Sequence, residues 1–354
     1  MIRMFSLILS VLMLITFSSC SGSETIAYET GSEASDSSSV SSEEEEPFVE
    51  RKTSIKLSFA GDMILASQLD AVSSGNFNDY ALRYEPSYFL EKVKPIFEQD
   101  DFTIVNLENV LTDKPLSPVG KDYSPAFWFK AKTSNIEILK QGSVEAVSLE
   151  NNHTMDYGKE GYNDTVSAVE NAGMIVGNKG GCFYLEKEGI KIGVVCAALW
   201  GQWNVSAGLE LLEEVKQNSD FQIVIFHGGT EKVHTPDDYK VDAARAFVDG
   251  GADLVVGGHP HVLQPREIYK GVEIIYSIGN FCYGGSRNPE NATIIYQMNL
   301  TFDKEKNLLE AKSEIIPCYV FTGSVNNYQP APIEDEEAKN KILMFMDGKA
   351  DSPI

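Results

Sequence analysis

The sequence predicts an α/β fold, and two observations carry that expectation. Short apolar, β-rich runs recur between residues 53 and about 320, and each ends abruptly in a polar cluster: IKLSFAGD, FTIVNLEN, VEAVSLENNH, FQIVIFHGGTE, ADLVVGGHPH and VEIIYSIGNF. A continuous apolar run is what a strand covered on both faces looks like, because none of its side chains has to meet water. Between the runs, stretches such as VDAARAFVDGGA place their apolar residues at helical spacing. Strand and helix patterns interleaved in this way give an α/β architecture. The chain has 354 residues, 43% of them hydrophobic, which is ample material for a sizeable core.

The chain opens with MIRMFSLILSVLMLITFSSC: a basic Arg3, an apolar stretch from Phe5 to Phe17, then small residues leading into Cys20. This is the layout of an export signal. The apolar stretch is shorter than the roughly 20 residues that a membrane-spanning helix needs. FSSC resembles a bacterial lipobox with Phe17 in place of the usual Leu, so residues 1–20 are expected to be a lipoprotein signal and Cys20 the lipidated residue. The expected location is the extracytoplasmic face of the bacterial cell membrane, held there by the lipid anchor. Residues 21–52, rich in serine and glutamate, have almost nothing to bury and read as a disordered tether. Residues 53–322 are the expected folded domain, and 323–354, with EDEEA at 334–338, an acidic tail.

Charge narrows the partners. With 52 acidic and 29 basic residues, a net charge of −23, the chain has no electrostatic reason to approach a phosphate backbone, so nucleic acid is excluded. Besides Cys20 there are Cys182, Cys196, Cys282 and Cys318, each in an apolar or aromatic neighbourhood. Disulfides and buried thiols both suit them, and none has CxxC spacing, so no chemistry is placed on them.

In open α/β sheets, functional groups gather beyond the carboxyl ends of the strands, where loops converge. Every polar cluster above sits at such an end. Together they would deliver Asp62, Asn106, Glu108, Asn152, His153, Asp156, His227, Glu231, His259 and His261 to one place. Imidazole nitrogens mixed with carboxylate and amide oxygens, without thiolates, favour one or two divalent ions such as Mn, Zn or Fe. Four of the five histidines fall in these clusters, which scattered core histidines would not do. In GGHPH the two histidines alternate in direction and can serve two metals, or one metal from two sides.

The order of these motifs resembles a family. GD at Gly61–Asp62, NLE at Asn106–Glu108, NNHxxDxG at Asn151–Gly158, HxGxE at His227–Glu231 and GHxHxxQ at Gly258–Gln264 look like the CapA/PgsA family of poly-γ-glutamate capsule biosynthesis proteins, whose domain is similar to calcineurin-like metallophosphoesterases. That resemblance covers residues 53 to about 320 and implies a β-sandwich of two sheets flanked by helices. It further implies Asp62 and His261 on a first metal, Glu108 bridging, and Asn152, His227 and His259 on a second. His153, supported by Asp156, takes the catalytic position, and Asn106, Glu231 and Arg266 are the expected substrate contacts. Two departures stand out. Metallophosphoesterases begin with Asp-x-His, whereas Asp62 is followed by Met63 and Ile64, and glutamate replaces the usual bridging aspartate at 108. His234 matches no motif and is expected on the surface. The implied function is a metal-dependent hydrolase or transferase of poly-γ-glutamate or a related envelope polymer, with synthase components as partners. A non-catalytic subunit that binds the polymer or its synthase, and a genuine phosphoesterase, are the alternatives.

Overall fold

The computed structural model describes residues 52–69 and 74–354; Cys20, the signal and the tether lie outside the described residues. Strand β1 (Thr53–Ile64) shows why the apolar runs fold as they do. Its side chains alternate between two cores: Leu57 and Phe59 face one, Ala60 and Ile64 the other. The same alternation recurs at Ile104 and Val105, Ala146 and Val147, Val194 and Val195, and Ile223 and Val224.

The first sheet has eight strands. On one side of β1 lie β2 (Phe102–Leu107), β5 (Ala146–Ser148) and β6 (Ile175–Gly177), all parallel. On the other lie antiparallel β14 (Thr293–Phe302), β15 (Leu308–Tyr319) and β16 (Ala331–Pro332), while β13 (Asn280–Tyr283) pairs with the end of β1. Short β3 (Val110–Leu111) and β4 (Lys130–Ala131) form a separate pair. The second sheet has the order β11 (Leu263–Tyr269), β12 (Val272–Ile278), β10 (Leu254–Gly258), β9 (Phe221–Gly228), β8 (Ile190–Leu199), β7 (Cys182–Lys187). Its four middle strands run parallel, and its edge strands β11 and β7 are antiparallel.

One core fills the space between the sheets, with Phe59, Ile104, Val194, Ile223, Val256 and Ile275 meeting across it. The outer face of the first sheet is covered by α1 (Phe77–Arg83), α2 (Lys94–Phe97), α3 (Ile136–Gln141) and α4 (Gly158–Asn171); that of the second by α5 (Gln202–Lys216) and α6 (Asp238–Gly250). The architecture is thus a two-sheet sandwich flanked by helices. Helix α6 covers the VDAARAFVDGGA stretch and ends at Gly251, whose φ of 104° is the left-handed cap that glycine allows.

The expected acidic tail needs correcting. Val49–Ile354 is one compact unit. Strand β16 adds to the first sheet, and α7 (Glu336–Met346) buries Ile342, Phe345 and Met346 against the core between the sheets. Its acidic run is a helix start: Asp335 caps the first turn by accepting from Ala338 N at 2.8 Å, and Glu336 and Glu337 oppose the positive end of the helix dipole. His234, expected on the surface, packs its ring 5.3 Å from Phe345 and meets Leu263 O at 2.8 Å and Glu290 at 3.2 Å. The four domain cysteines are free thiols. No helix among the described residues is long and apolar enough to cross a membrane.

Candidate metal centre

The carboxyl ends of both sheets meet at one edge of the sandwich. β1 supplies Asp62, β2 leads into Glu108, and the turn after β5 carries Asn151 to Asp156. From the second sheet, β9 carries His227 next to its last residue, and β10 leads into the turn holding His259 and His261. β1 is bulged at Gly61, where a side chain would lie 2.1 Å from Gly279 O, and the bulge turns Asp62 into register with Asn280. Gly258 is needed for a similar reason: a Cβ there would sit 2.8 Å from Asp62 Oδ1.

All six expected ligands come together. The ligand atoms of Asp62, Glu108 and His227 lie within 4.8 Å of one another, and so do those of Glu108, His259 and His261, so Glu108 is common to both sets. The pairings that the resemblance implies are close as well: His261 Nδ1 is 3.5 Å from Asp62, and His227 Nε2 is 2.9 Å from Asn152 Oδ1 and 3.1 Å from His259 Nδ1. Neighbouring groups hold these side chains in place. Asp62 accepts from Asn106 Nδ2 at 2.7 Å and from His259 N at 2.9 Å. Asn280 Oδ1 lies 2.9 Å from His261 Nδ1, while its Nδ2 donates to His261 O at 2.9 Å.

Electrostatics push the histidines apart. Burial lowers the His259 pKa, helped by His227 and His261, and keeps that ring neutral. Burial acts on His261 in the same direction, but the carboxylates of Glu108 and Asp62 overcome it and raise its pKa to about 9. Asp62 is buried too, yet His227 and His261 hold it well below the usual carboxylate range.

Whether these residues suit a metal is decided at Glu108. Its side chain is wholly buried, and neither carboxylate oxygen has a hydrogen-bond partner. The nearest imidazole nitrogens, on His227 and His261, stand 3.4 and 3.9 Å away. A buried carboxylate left so is costly unless it coordinates a cation. His259 and His261 also adopt positive φ, 93° and 60°, a strained conformation that clusters at functional sites. The donor set fits one or two divalent ions.

His153 sits beside this cluster. Its Nδ1 is 2.8 Å from Asp156 Oδ2, and Asp156 is itself ion-paired to Lys121 at 2.6 Å and accepts from Phe129 N at 2.8 Å. His153 and His261 line a cavity of about 450 Å³ whose wall includes Glu231. Two expected substrate contacts are placed differently. Asn106 is buried and orients Asp62 and His227. Arg266 is held at 2.6 Å by Glu273, at the opposite end of the sheet from the site, and at 2.7 Å by Asp347, so it is a structural ion pair that ties in α7. Sequence reasoning passed over Lys121, Trp200 and Asn280. Trp200 follows β8, and its ring stands edge-on to His259 at 4.8 Å. KIGVVCAALW and SIGN carry the same apolar-run signal as the other strands and could have flagged Trp200 and Asn280. Lys121 arrives on the long loop between β3 and β4, which carries no such mark.

Residues 56–284 match the family model described as bacterial capsule synthesis protein PGA_cap. The chain is 27% identical over 317 residues to the PGA biosynthesis protein CapA of Bacillus subtilis, covering 82% of this chain and 77% of that one. To the capsule biosynthesis protein CapA of Bacillus anthracis it is 27% identical over 305 residues, covering 77% and 70%. A 5'-nucleotidase structure from Candida albicans aligns with 74% of this chain and 51% of its own, at 13% identity and a TM-score of 0.38. The family match runs from β1 through β13 and takes in every residue of the cluster, and this chain belongs to the bacterial capsule synthesis protein PGA_cap family.

Proposed function

We propose that this protein serves poly-γ-glutamate capsule synthesis as a metal-dependent hydrolase or transferase acting on the polymer. The process comes from the names its relatives carry, PGA biosynthesis and capsule biosynthesis. Metal dependence rests on one observation, the buried Glu108 carboxylate with no donor to either oxygen amid histidines and Asp62. Asp62, Glu108, Asn152, His227, His259 and His261 would hold one or two ions of the Mn, Zn or Fe type. Such an ion, when bound, polarises the group under attack and makes a water acidic enough to lose its proton near neutral pH.

The chain's own residues orient and protonate. Asp156 engages His153 through Nδ1 and fixes the ring, which leaves Nε2 to give a proton to a leaving group in the cavity. Lys121 offsets the charge of Asp156 and fixes its position. Phe127, Phe129 and Tyr283 wall the same cavity and limit water there. Cys20 would anchor the chain at the outer face of the membrane, with synthase components as neighbours. Cys20→Ser should then release the protein into the medium, and a variant that stays membrane-bound with unchanged mobility would end that part of the reading.

A second reading has an observation of its own. Met63 and Ile64 are fully buried in the apolar core, so no imidazole reaches the cluster from that motif. This favours a non-catalytic subunit that binds polymer or synthase on the same scaffold. The deciding experiment is metal analysis of the domain purified without chelator, followed by incubation with γ-linked polyglutamate. Metal content with chain shortening supports the first reading, and metal without it the second. Absence of metal, with no rise in melting temperature on adding Mn, Zn or Fe, removes the first and leaves the second standing.

A further inference from the structure

Two cavities border the histidine cluster, and they share no lining residue. One, of about 450 Å³, holds His153 and His261 in its wall. The other, of about 560 Å³, is lined by Trp200, Met155, Lys159, Lys179, Glu150 and Asn204, among others. The cluster lies between them. Trp200 stands 4.8 Å from His259 and 6.0 Å from His227, and His259 is 5.7 Å from His261 on the far side. The turn after β5 is a partition, with His153 on one side and Met155 on the other. Each cavity is large enough for a small-molecule-sized group. A substrate that offered only a terminal group would fill one and leave the other without use.

The two sides differ in chemistry. On the Trp200 side stand two ammonium groups against one carboxylate, and Glu150 is engaged by Gly180 N and by Lys179 at 3.6 Å. Lys159 is exposed and forms no ion pair among the described residues. Trp200 and Met155, 42% and 36% exposed, add an apolar surface at the mouth. The His153 side instead carries Glu231 and Glu290 against Lys232, with Glu290 tied to His234. An anionic group on an apolar stem therefore suits the Trp200 side: the stem lies on the indole, and the charge meets lysines that act as point charges rather than as a guanidinium fork.

We propose that the Trp200 cavity is a subsite for an anionic stretch of an extended chain, so that the substrate crosses the cluster and is engaged at an internal unit rather than at its end. This deepens the reading of a polymer-acting site given above and rests on it. The charge of −23 opposes such a ligand at long range, but screening within about 8 Å at physiological salt leaves the local lysines to decide.

The test is equilibrium binding of long and short γ-linked oligoglutamates, and of free glutamate, to the protein and to the Trp200→Ala and Lys159→Glu variants. Both positions are on the surface, so the fold should survive, and Trp200→Phe serves as the conservative control. Long oligomers should bind more tightly than short ones. Trp200→Ala should weaken long-chain binding about tenfold, Trp200→Phe should largely restore it, and Lys159→Glu should weaken it about fivefold at low salt. Free glutamate should respond to neither variant. Equal binding of long and short chains, wild-type affinity in both variants, or no oligomer binding at all would each overturn the proposal. Metal content and the metal-dependent melting shift, measured on the same samples, keep the two readings apart. A subsite effect without metal retains this inference and removes the metal-centre reading, whereas normal metal loading with indifferent variants does the reverse.

Discussion

Glu108 and Glu273 are both buried glutamates, at opposite ends of the sandwich. Glu273, near the start of β12, accepts from the Tyr296 hydroxyl at 2.7 Å and from Arg266 at 2.6 Å. Glu108, past the end of β2, has no donor to either oxygen. Burying an unpartnered charge costs far more than burying one that is paired and hydrogen-bonded. In this pair the fold satisfies the glutamate where the strands begin and leaves open the one where they end. The turn after β10 also holds His259 and His261 at positive φ. An ion bound in the strand-end cluster would satisfy the open Glu108 carboxylate.

The largest effect should come from removing the open charge. In metal-free protein above about pH 9, where His261 is neutral and no cation faces the carboxylate, Glu108→Gln should raise stability by about 1–3 kcal/mol, because a neutral amide replaces a carboxylate that lacks donors. Added metal should then reverse the ranking. The wild type gains about 4 kcal/mol when free metal is a thousand times its dissociation constant, and the variant gains almost nothing. Urea unfolding with and without Mn or Zn measures both. A variant that is less stable than wild type in chelator would mean that Glu108 is satisfied by the fold after all.

Next in size is His153→Ala. Loss of a positioned proton donor should lower turnover of the polymer about a hundredfold. Asp156 keeps Lys121 and Phe129 N as partners, so fold and metal-dependent melting shift should persist. Full polymer production in cells by this variant, at matched protein level, would instead favour the non-catalytic subunit. Glu273→Ala sharpens the comparison from the other end. It should cost about 2–3 kcal/mol at every metal concentration, because it leaves Tyr296 and Arg266 without their shared acceptor. A cost that vanished on adding metal would join the two regions that the comparison separates.

The division between strand ends and strand starts also explains what the sequence could reveal. The α/β class and the gathering of Asp62, Glu108, Asn152 and four histidines were legible, because runs buried on both faces end where their polar residues begin. The second sheet was not legible from the pattern. A strand such as FQIVIFHG looks the same whether its inner face meets a helix or another sheet, and only the family resemblance implied the sandwich. Arg266 was misplaced because a positive charge near a motif says nothing about which carboxylates reach it first. The acidic run at 334–337 hid a helix start, since capping and dipole effects use the same residues as a solvated tail. Lys121 was out of reach because nothing local links it to Asp156, 35 positions later in the chain.

The smallest effect probes a third glutamate, also on the strand-start side and half-buried. Glu145 precedes β5 and accepts from Thr103 N at 2.7 Å. Burial raises its pKa to about 7, with the charge of Asp100 adding to that and the Thr103 bond opposing it; its ordinary value is 4.5. Between those two values the folded state holds more protons than the unfolded one, so stability falls as pH rises through the window. The contribution is complete below about 4.5 and gone above about 7. Glu145→Gln stays neutral and can still accept from Thr103 N, so the variant should match wild type near pH 4.5 and grow more stable than it up to pH 7. Above that the difference should be constant. Because the side chain is partly open to water, the gain should fall well short of what the full shift would give. Melting temperatures of both proteins across this range, with chelator present to silence the metal cluster, supply the measurement. Parallel pH profiles would show that Glu145 titrates alike in the folded and unfolded chain, its charge met by Thr103 N and water rather than removed by protonation.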